Sequence, residues 1–544
     1  MALQLDRDHG DHKSHRSPQG RRRRLDVGLV FAGVLGLVAL GVVGVLVYRG
    51  TRVEVTQTGL EDGAVLNGLE MAATEVQIEV PSAETATSAE MRLDGEAIED
   101  PEIAGTRIHW RPPDNLQEGE HTLSVAVPRV LLRPAVHEWT FTLDTTPPTV
   151  DVPPVLDPVA IDEVATIAGN VEPGADVTAA GEVVEVDADG RFSVEFPWPP
   201  AGPVRFEAVD PAGNGTTTAV VVPVAYPGMR SVHVGAAAWT NLGVRRAILQ
   251  MVDEGRIDAV QLDIKDETGL VGFDTSVRRA HDIGAVTPYY DLEDAVAEIG
   301  GRGARVVGRV AAFRDPILAR AAWQAGSTDQ VVQNTSGGPY DAPGEFTNFA
   351  HPAVQQYNLD IALDAVSRGI DEILWDDVRR PGDDPANIMI PGLEQGYSDA
   401  LVGFLARSQN ELRRRGAYQG VIVLGISAQR GDLVSQDVLQ MARHADYLVP
   451  TIHPAFWDPG EYGVPSPINQ PADLVARVLE GFQGAIQLSG ARLVPSLQDF
   501  SARGVPYGEA EVRTQIAAAH LTGVDDFLLW SPSATYTAAA LDPK

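Results

Sequence analysis

Several short apolar runs in the second half of the chain end in residues that can move protons or hold charge. EILWDDV (372–378) ends in Asp376 and Asp377, with Arg379 and Arg380 next. AVQLDIKD (259–266) carries Asp263, Lys265 and Asp266, and RVVGRVAAF (305–313) carries Arg309. YLVPTIH (447–453) ends in His453, and RLVPSLQDF (492–500) ends in Gln498, Asp499 and Phe500. Aromatic residues stand at the ends of two further runs, Trp239 and Trp530. Carboxyl groups held near one another suit reactions that need one ionised carboxylate and one carboxyl that keeps its proton, as in cleavage of a glycosidic bond. Aromatic faces suit the apolar side of a sugar ring.

Those runs number eight: 231–239, 259–266, 305–313, 372–378, 421–427, 447–453, 492–500 and 526–532. Between them lie stretches with apolar residues at helical spacing, such as 244–255, 292–300 and 351–369. Eight strands alternating with helices in about 315 residues is the arithmetic of a (β/α)8 barrel. An open doubly wound sheet would want a glycine-rich phosphate turn after its first strand, and Ala237-Ala238-Trp239-Thr240-Asn241 is not one. In a barrel, the C-terminal strand ends share one mouth. Asp376, Asp499 and Asp263 are therefore the candidate catalytic carboxyls. Lys265, Asp266, Arg309, Asp377 and Arg379 are candidate substrate ligands, together with His453, Gln498, Trp239 and Trp530. Side-chain alternation along 259–266 places Gln261, Asp263 and Lys265 on one face, so an Asp263–Lys265 pair facing the axis is expected.

Other chemistries lack their residues. The chain has no cysteine, which removes disulfides, thiolate metal sites and cysteine nucleophiles. No HExxH, Walker loop or nucleophile elbow is present, and no cofactor is expected. A metal on Asp263, Asp266 and His453 is a lesser alternative. The net charge of −33 leaves no footprint for nucleic acid.

The first half of the chain reads as an anchor and a stalk. Val27 to Val47 is an uncharged run preceded by Arg21 to Arg24. It is long enough to span a bilayer, and the arginines would keep the N-terminus in the cytoplasm. Tyr48-Arg49-Gly50-Thr51-Arg52 offers no small-x-small cleavage site, so an anchor is expected over a cleaved signal. The expectation is a single-pass cell-membrane protein with residues 1–26 inside, 27–48 in the membrane and the rest outside. Residues 51–144 and 145–226 read as two all-β sandwiches, with short alternating strands broken by Asp94-Gly95, Glu118-Gly119 and Asp189-Gly190. Pro147-Pro148 marks a boundary between them, and Tyr226-Pro227-Gly228 closes the stalk before a barrel over 229–544.

The Asp-Thr-Thr-x-Pro linker and the Asp210-Pro211-Ala212-Gly213-Asn214 turn resemble those of bacterial immunoglobulin-like repeats, which serve as spacers or adhesive modules on cell surfaces. The barrel half resembles a bacterial family of glycoside hydrolases, largely of unknown substrate, that belongs among the amylase-like barrels. The resemblance rests on Leu262-Asp263-Ile264-Lys265-Asp266-Glu267-Thr268-Gly269, on Arg309 to Pro316, and on Phe346 to Pro352. It is strongest over Gly369 to Pro381, and continues through Pro495 to Phe500 and Leu528 to Ser531. It implies that Asp376 is the acid at the end of strand 4 where amylase-like enzymes keep their nucleophile, with Arg379 orienting it or binding substrate. Asp499 and Asp263 are then candidates for the second acid. The chain departs from the family pattern at Asp377, where the family has Tyr, at Gln429, where it has Asp, and at His453, where an aromatic is usual. Two functions remain open at this point. One is hydrolysis of a polysaccharide or cell-wall glycan. The other is non-catalytic glycan binding by a barrel presented on a stalk.

Overall fold

The computed structural model describes residues 53–129, 132–340, 345–382 and 384–543, together with Val38. The basic tail (1–26) and, apart from Val38, the expected membrane segment (27–48) lie outside the described residues. Among the described residues no helix is long and apolar enough to cross a membrane. The chain divides into two compact units, 1–146 and 147–544.

In the first unit, a four-stranded sheet in the order 56–58, 76–79, 107–110, 102–104 and a five-stranded sheet in the order 64–66, 132–143, 119–129, 90–93, 96–97 share one core. Val76, Ile78, Ile108 and Trp110 face Met91, Leu123, Val125 and Phe141. The alternation of buried and half-buried residues along 121–127 produces that face. Asp94 (φ 51°) and Gly95 (φ 83°) form the left-handed pair that a two-residue hairpin turn requires. The sequence showed no helical period here, yet two six-residue helices, Gly68–Ala73 and Ala83–Ser88, are present. Each is stabilised by a capping side chain, Asn67 or Ser82, rather than by an apolar stripe.

The second unit begins with a three-stranded and a four-stranded sheet around Ile167, Val177, Phe192, Phe206 and Val220. In its Asp210–Asn214 turn, the Asp210 carboxylate accepts from both the backbone N–H and the side-chain amide of Asn214, each at 2.9 Å. Beyond Tyr226 the chain enters the barrel.

Eight parallel strands form it: β1 (Arg230–Val234), β2 (Ala259–Lys265), β3 (Arg305–Ala311), β4 (Glu372–Asp376), β5 (Tyr418–Leu424), β6 (Tyr447–Ile452), β7 in two pieces (Arg492–Leu493 and Ser496–Gln498) and β8 (Phe527–Trp530). Each pairs with the next, β8 pairs with β1, and the ring is closed. Pro495 has no N–H to donate, which accounts for the break in β7.

The main helices are α1 (Leu242–Asp253), α2 (Leu292–Gly300), α3 (Pro316–Gln324), α4 (Pro352–Ser367), α5 (Tyr397–Arg413), α6 (Val438–Arg443), α7 (Pro471–Ile486) and α8 (Glu509–Leu521). Strand alternation sorts the side chains. In β4, Ile373 and Trp375 pack into the helix layer, whereas Leu374 joins Val307, Val449, Val494 and Leu528 inside the barrel. The N-terminal end of the barrel is plugged by the buried Glu372. Its carboxylate accepts from Tyr226 Oη (2.8 Å) and Arg305 Nη1 (2.9 Å), and the Tyr226 ring stacks on Tyr447 at 4.5 Å. With that end filled, the open end is the one where the strands finish.

Candidate active site

The site is organised by one guanidinium. Arg309 lies inside the barrel near the C-terminal end of β3, only 8% exposed. The strand register sets Asp263 of β2 directly beside it, and Asp376 one pleat further along β4. Arg309 Nη1 donates to Asp263 Oδ1 at 2.9 Å, and Nε donates to Asp376 Oδ2 at 2.9 Å. Nη2 serves two acids at once, Asp376 Oδ2 at 2.7 Å and Glu267 Oε2 at 3.0 Å. The sum of those two contacts, 5.7 Å, is the largest separation the two carboxylate oxygens can have.

The three acids differ in access. Their side-chain exposures are 7% for Asp263, 20% for Asp376 and 45% for Glu267. Burial pushes the Asp263 carboxyl up, but the charges of Arg309 and His233 outweigh it and hold the group down at about 2. His233 Nε2 donates to Asp263 Oδ1 at 3.0 Å, and Tyr290 Oη donates to the Asp263 carbonyl at 2.8 Å. Asp263 is thus ionised and fixed on several sides.

Asp376 Oδ1 accepts from the backbone N–H of Asp377 at 2.7 Å. Asp377 itself has a left-handed backbone (φ 50°), a conformation Asp tolerates better than most residues. The Asp377 side chain then meets Arg379, whose Nε donates to it at 2.8 Å and whose guanidinium lies over the Phe346 ring at 5.2 Å. Burial raises the Asp377 pKa, and the charge of Asp376 adds to the rise, against the pull of Arg379. Four carboxyls and two guanidiniums therefore crowd this side of the mouth, an imbalance that favours keeping a proton on one of them.

An aromatic wall completes the ring of contacts. Trp530 of β8 stacks against His233 (6.4 Å) and His453 (5.1 Å), with Phe500 edge-on at 5.3 Å. Burial lowers His453 to about 3, with the charge of His233 adding to the fall, so the ring is neutral and packs as an aromatic. Its Nε2 lies 2.9 Å from Ser496 Oγ. Continuous contacts thus run from Asp376 through Arg309, Asp263, His233 and Trp530 to His453.

Several expected site residues are elsewhere. Lys265 does not pair with Asp263. A bulge between Asp263 and Lys265 breaks the alternation of β2 and turns the ammonium into the helix layer. There it is fully buried, 2.8 Å from Asp315 Oδ2 and 2.9 Å from Asn358 Oδ1. Asp266 closes its own turn, accepting from Thr268 N–H at 2.9 Å and from Leu270 N–H at 3.1 Å. Trp239 is 1% exposed, because β1 ends at Val234 and the alanine-rich segment after Gly235 turns helical and folds the indole into the core. Gln498 is fully buried and spent on backbone, accepting from Ala455 N–H and donating to the Phe500 carbonyl, each at 2.8 Å. Both oxygens of Asp499 are taken by Thr537, at 2.7 Å from its N–H and 2.7 Å from its hydroxyl, while burial raises its pKa. Among the described residues no three His, Asp or Glu side chains are grouped to hold a metal ion. Asp266 and His453 are occupied as above.

Glu267 and His233 are the residues that sequence reasoning passed over. Glu267 follows the end of β2 and reaches the mouth from the loop. His233 was marked by its alternation with Val232 and Val234 in β1.

No curated protein matches the sequence. Solved structures similar to it include a hypothetical protein from Ruminiclostridium thermocellum (21% identity over 35% of this chain and 96% of that one, TM-score 0.31). Another is the glycoside hydrolase domain of PelA from Pseudomonas aeruginosa (14% identity, 57% and 97% covered, TM-score 0.33). A third is Ega3 of Aspergillus fumigatus in complex with galactosamine (13% identity, 57% and 93% covered, TM-score 0.33). A family model described as "Putative glycosyl hydrolase domain" matches residues 231–536, more than half of the chain and all but the first residue of the barrel strands. The chain belongs to that family.

Proposed function

We propose that the barrel hydrolyses O-glycosidic bonds of a polysaccharide, with Asp376 as nucleophile and Glu267 as acid and base. The observation that carries this is the shared Nη2 of Arg309, which keeps the two carboxylate oxygens within 5.7 Å. Retaining glycosidases separate their carboxyls by about 5–5.5 Å, and inverting ones by about 6.5–9.5 Å. Asp376 is the right nucleophile because the guanidinium and the Asp377 N–H hold and aim its oxygens. Glu267 is the acid by position, the most exposed of the three Arg309-bound acids and open to water, and it must leave its contact with Arg309 to hold the proton it donates. Asp263, buried between Arg309 and His233, acts as a positioning residue.

In the first step an Asp376 oxygen bonds to the anomeric carbon, the bond to the leaving oxygen breaks, and that oxygen takes the proton of Glu267. In the second step Glu267 takes a proton from water, whose oxygen bonds to the anomeric carbon and releases Asp376. The same reading has this domain held outside the cell. The uncharged run 27–47 with its preceding arginines would be the anchor, and the two-sheet modules before the barrel would be immunoglobulin-like spacers.

The test is release of reducing ends from a panel of bacterial and plant polysaccharides by the full-length protein and by Asp376→Asn. Cleavage by the wild type, lost in the variant, is the expected result. A variant that cleaves as well as the wild type removes Asp376 from the chemistry. Tight glycan binding without cleavage by either would leave the barrel a binding module.

A further inference from the structure

We propose that the cleft between the ends of β5 and β6 is a second sugar subsite, taking an uncharged hexopyranosyl unit of a glycan that extends from the mouth, with Phe456 as its stacking platform. This rests on the hydrolase reading and adds to it a place for a neighbouring unit of the substrate.

The cleft encloses about 320 Å³, at the lower end of the range for ligand pockets. It adjoins the mouth at the buried His453, which lines it and also stacks on Trp530. On its rim Phe456 is 63% exposed, the most exposed aromatic ring among the described residues. It packs against His453 (5.8 Å) and Phe500 (5.9 Å), which fix its tilt and leave most of its surface open. A held, open aromatic ring beside a cleft is what the apolar side of a pyranose needs.

The floor is built rather than incidental. A Cβ on Gly425 would come within 2.6 Å of Trp457 and 2.5 Å of the Thr451 carbonyl, so only glycine admits the indole beneath the cleft. Tyr462, itself in a left-handed backbone (φ 49°), donates its hydroxyl to the Gly425 carbonyl at 2.9 Å and meets Trp457 edge-on at 5.4 Å. The polar end of the cleft is the Arg430–Glu461 pair, 3.2 Å apart and open to solvent. Together they offer donors and acceptors to sugar hydroxyls with no net charge. The excess of carboxylates at the mouth disfavours an acidic sugar next door. An uncharged unit satisfies both.

The test compares wild type, Phe456→Ala and Gly425→Ala on neutral oligomers of two to six units derived from chitin, cellulose and starch, and on oligogalacturonates. Binding is read in parallel from Trp fluorescence in an Asp376→Asn background. The expected result is that Phe456→Ala raises KM about ten-fold on long neutral oligomers, the loss shrinking as the oligomer shortens. Gly425→Ala, which displaces Trp457, should follow the same length dependence. A loss independent of length, or none, overturns the subsite while leaving hydrolysis standing. Preference for the galacturonates overturns the assignment to uncharged sugars. A wild type that cleaves no oligomer and shows no fluorescence response overturns the subsite together with the reading beneath it.

Discussion

Replacing Arg309 by Met removes the charge at the centre of the site and keeps an apolar chain of similar reach. Three carboxylates lose a partner at 2.9, 2.7 and 3.0 Å. Glu267 is nearly half exposed and loses little. Asp263 and Asp376 stay largely buried, and breaking a buried pair costs about 3–5 kcal/mol. In the wild type, Asp263 is held at about 2 against an ordinary 3.8, a preference for its ionised form of about 2 kcal/mol. Because the folded value is depressed, that contribution is present above pH 3.8 and is lost as the pH falls toward 2. Without Arg309 only His233 opposes burial, so the Asp263 value moves above 3.8. Its contribution then becomes a penalty that is absent below pH 3.8 and sets in as the pH rises through the new folded value. Urea unfolding of both proteins at pH 7.5 and pH 4.5 measures this. The variant's deficit should be about 3–5 kcal/mol at pH 7.5 and distinctly smaller at pH 4.5. Equal deficits at the two pH values would refute the electrostatic account of the cluster.

Three further outcomes follow from buried groups outside the Arg309 cluster. Burial pushes Glu372 up to about 7, so its contribution is full below about pH 4.5 and is lost as the pH rises through 7. Between pH 5 and 8.5 this should remove about 3 kcal/mol of stability, and Glu372→Gln should flatten that slope; an unchanged slope contradicts the assignment. Lys265→Met strands the fully buried Asp315 and should cost about 3–5 kcal/mol in denaturant unfolding, whereas a cost under about 1 kcal/mol would mean the pair is neutral. Gly269→Ala forces a Cβ to within 2.2 Å of Asp315 Oδ1 at a left-handed φ of 86°, and should lower the melting temperature by several degrees; an unchanged melting temperature would show that the turn yields.

The barrel was legible because its signal is repetitive. Eight apolar runs separated by helical stretches leave few alternatives, and the strand-end rule then picks Asp263, Arg309 and Asp376 without further help. Two of the misplaced residues, Lys265 and Trp239, share a cause: alternation was carried past the point where the backbone stops obeying it. A bulge of one residue in β2 sends Lys265 to the opposite side, and no composition signal marks it. The first strand yields to a helical turn at Gly235, which takes Trp239 inward. Glu267 lies in the loop after the bulge, where periodicity says nothing. Its role comes from a tertiary contact with Arg309, 42 residues away. The departure at His453 reads differently in three dimensions. A buried neutral imidazole stacked on Trp530 fills the space of the usual aromatic.

The account turns on Asp376 and Glu267 sharing one guanidinium, with their bound oxygens no more than 5.7 Å apart and so closer than inverting enzymes hold their carboxyls. The direct measurement is the anomeric configuration of the first-formed sugar, followed by proton NMR during hydrolysis by the wild-type protein. The spacing predicts product with the configuration of the bond that was cleaved. Product of the opposite configuration would mean that a more distant pair of carboxyls does the work and that Arg309 joins the wrong two.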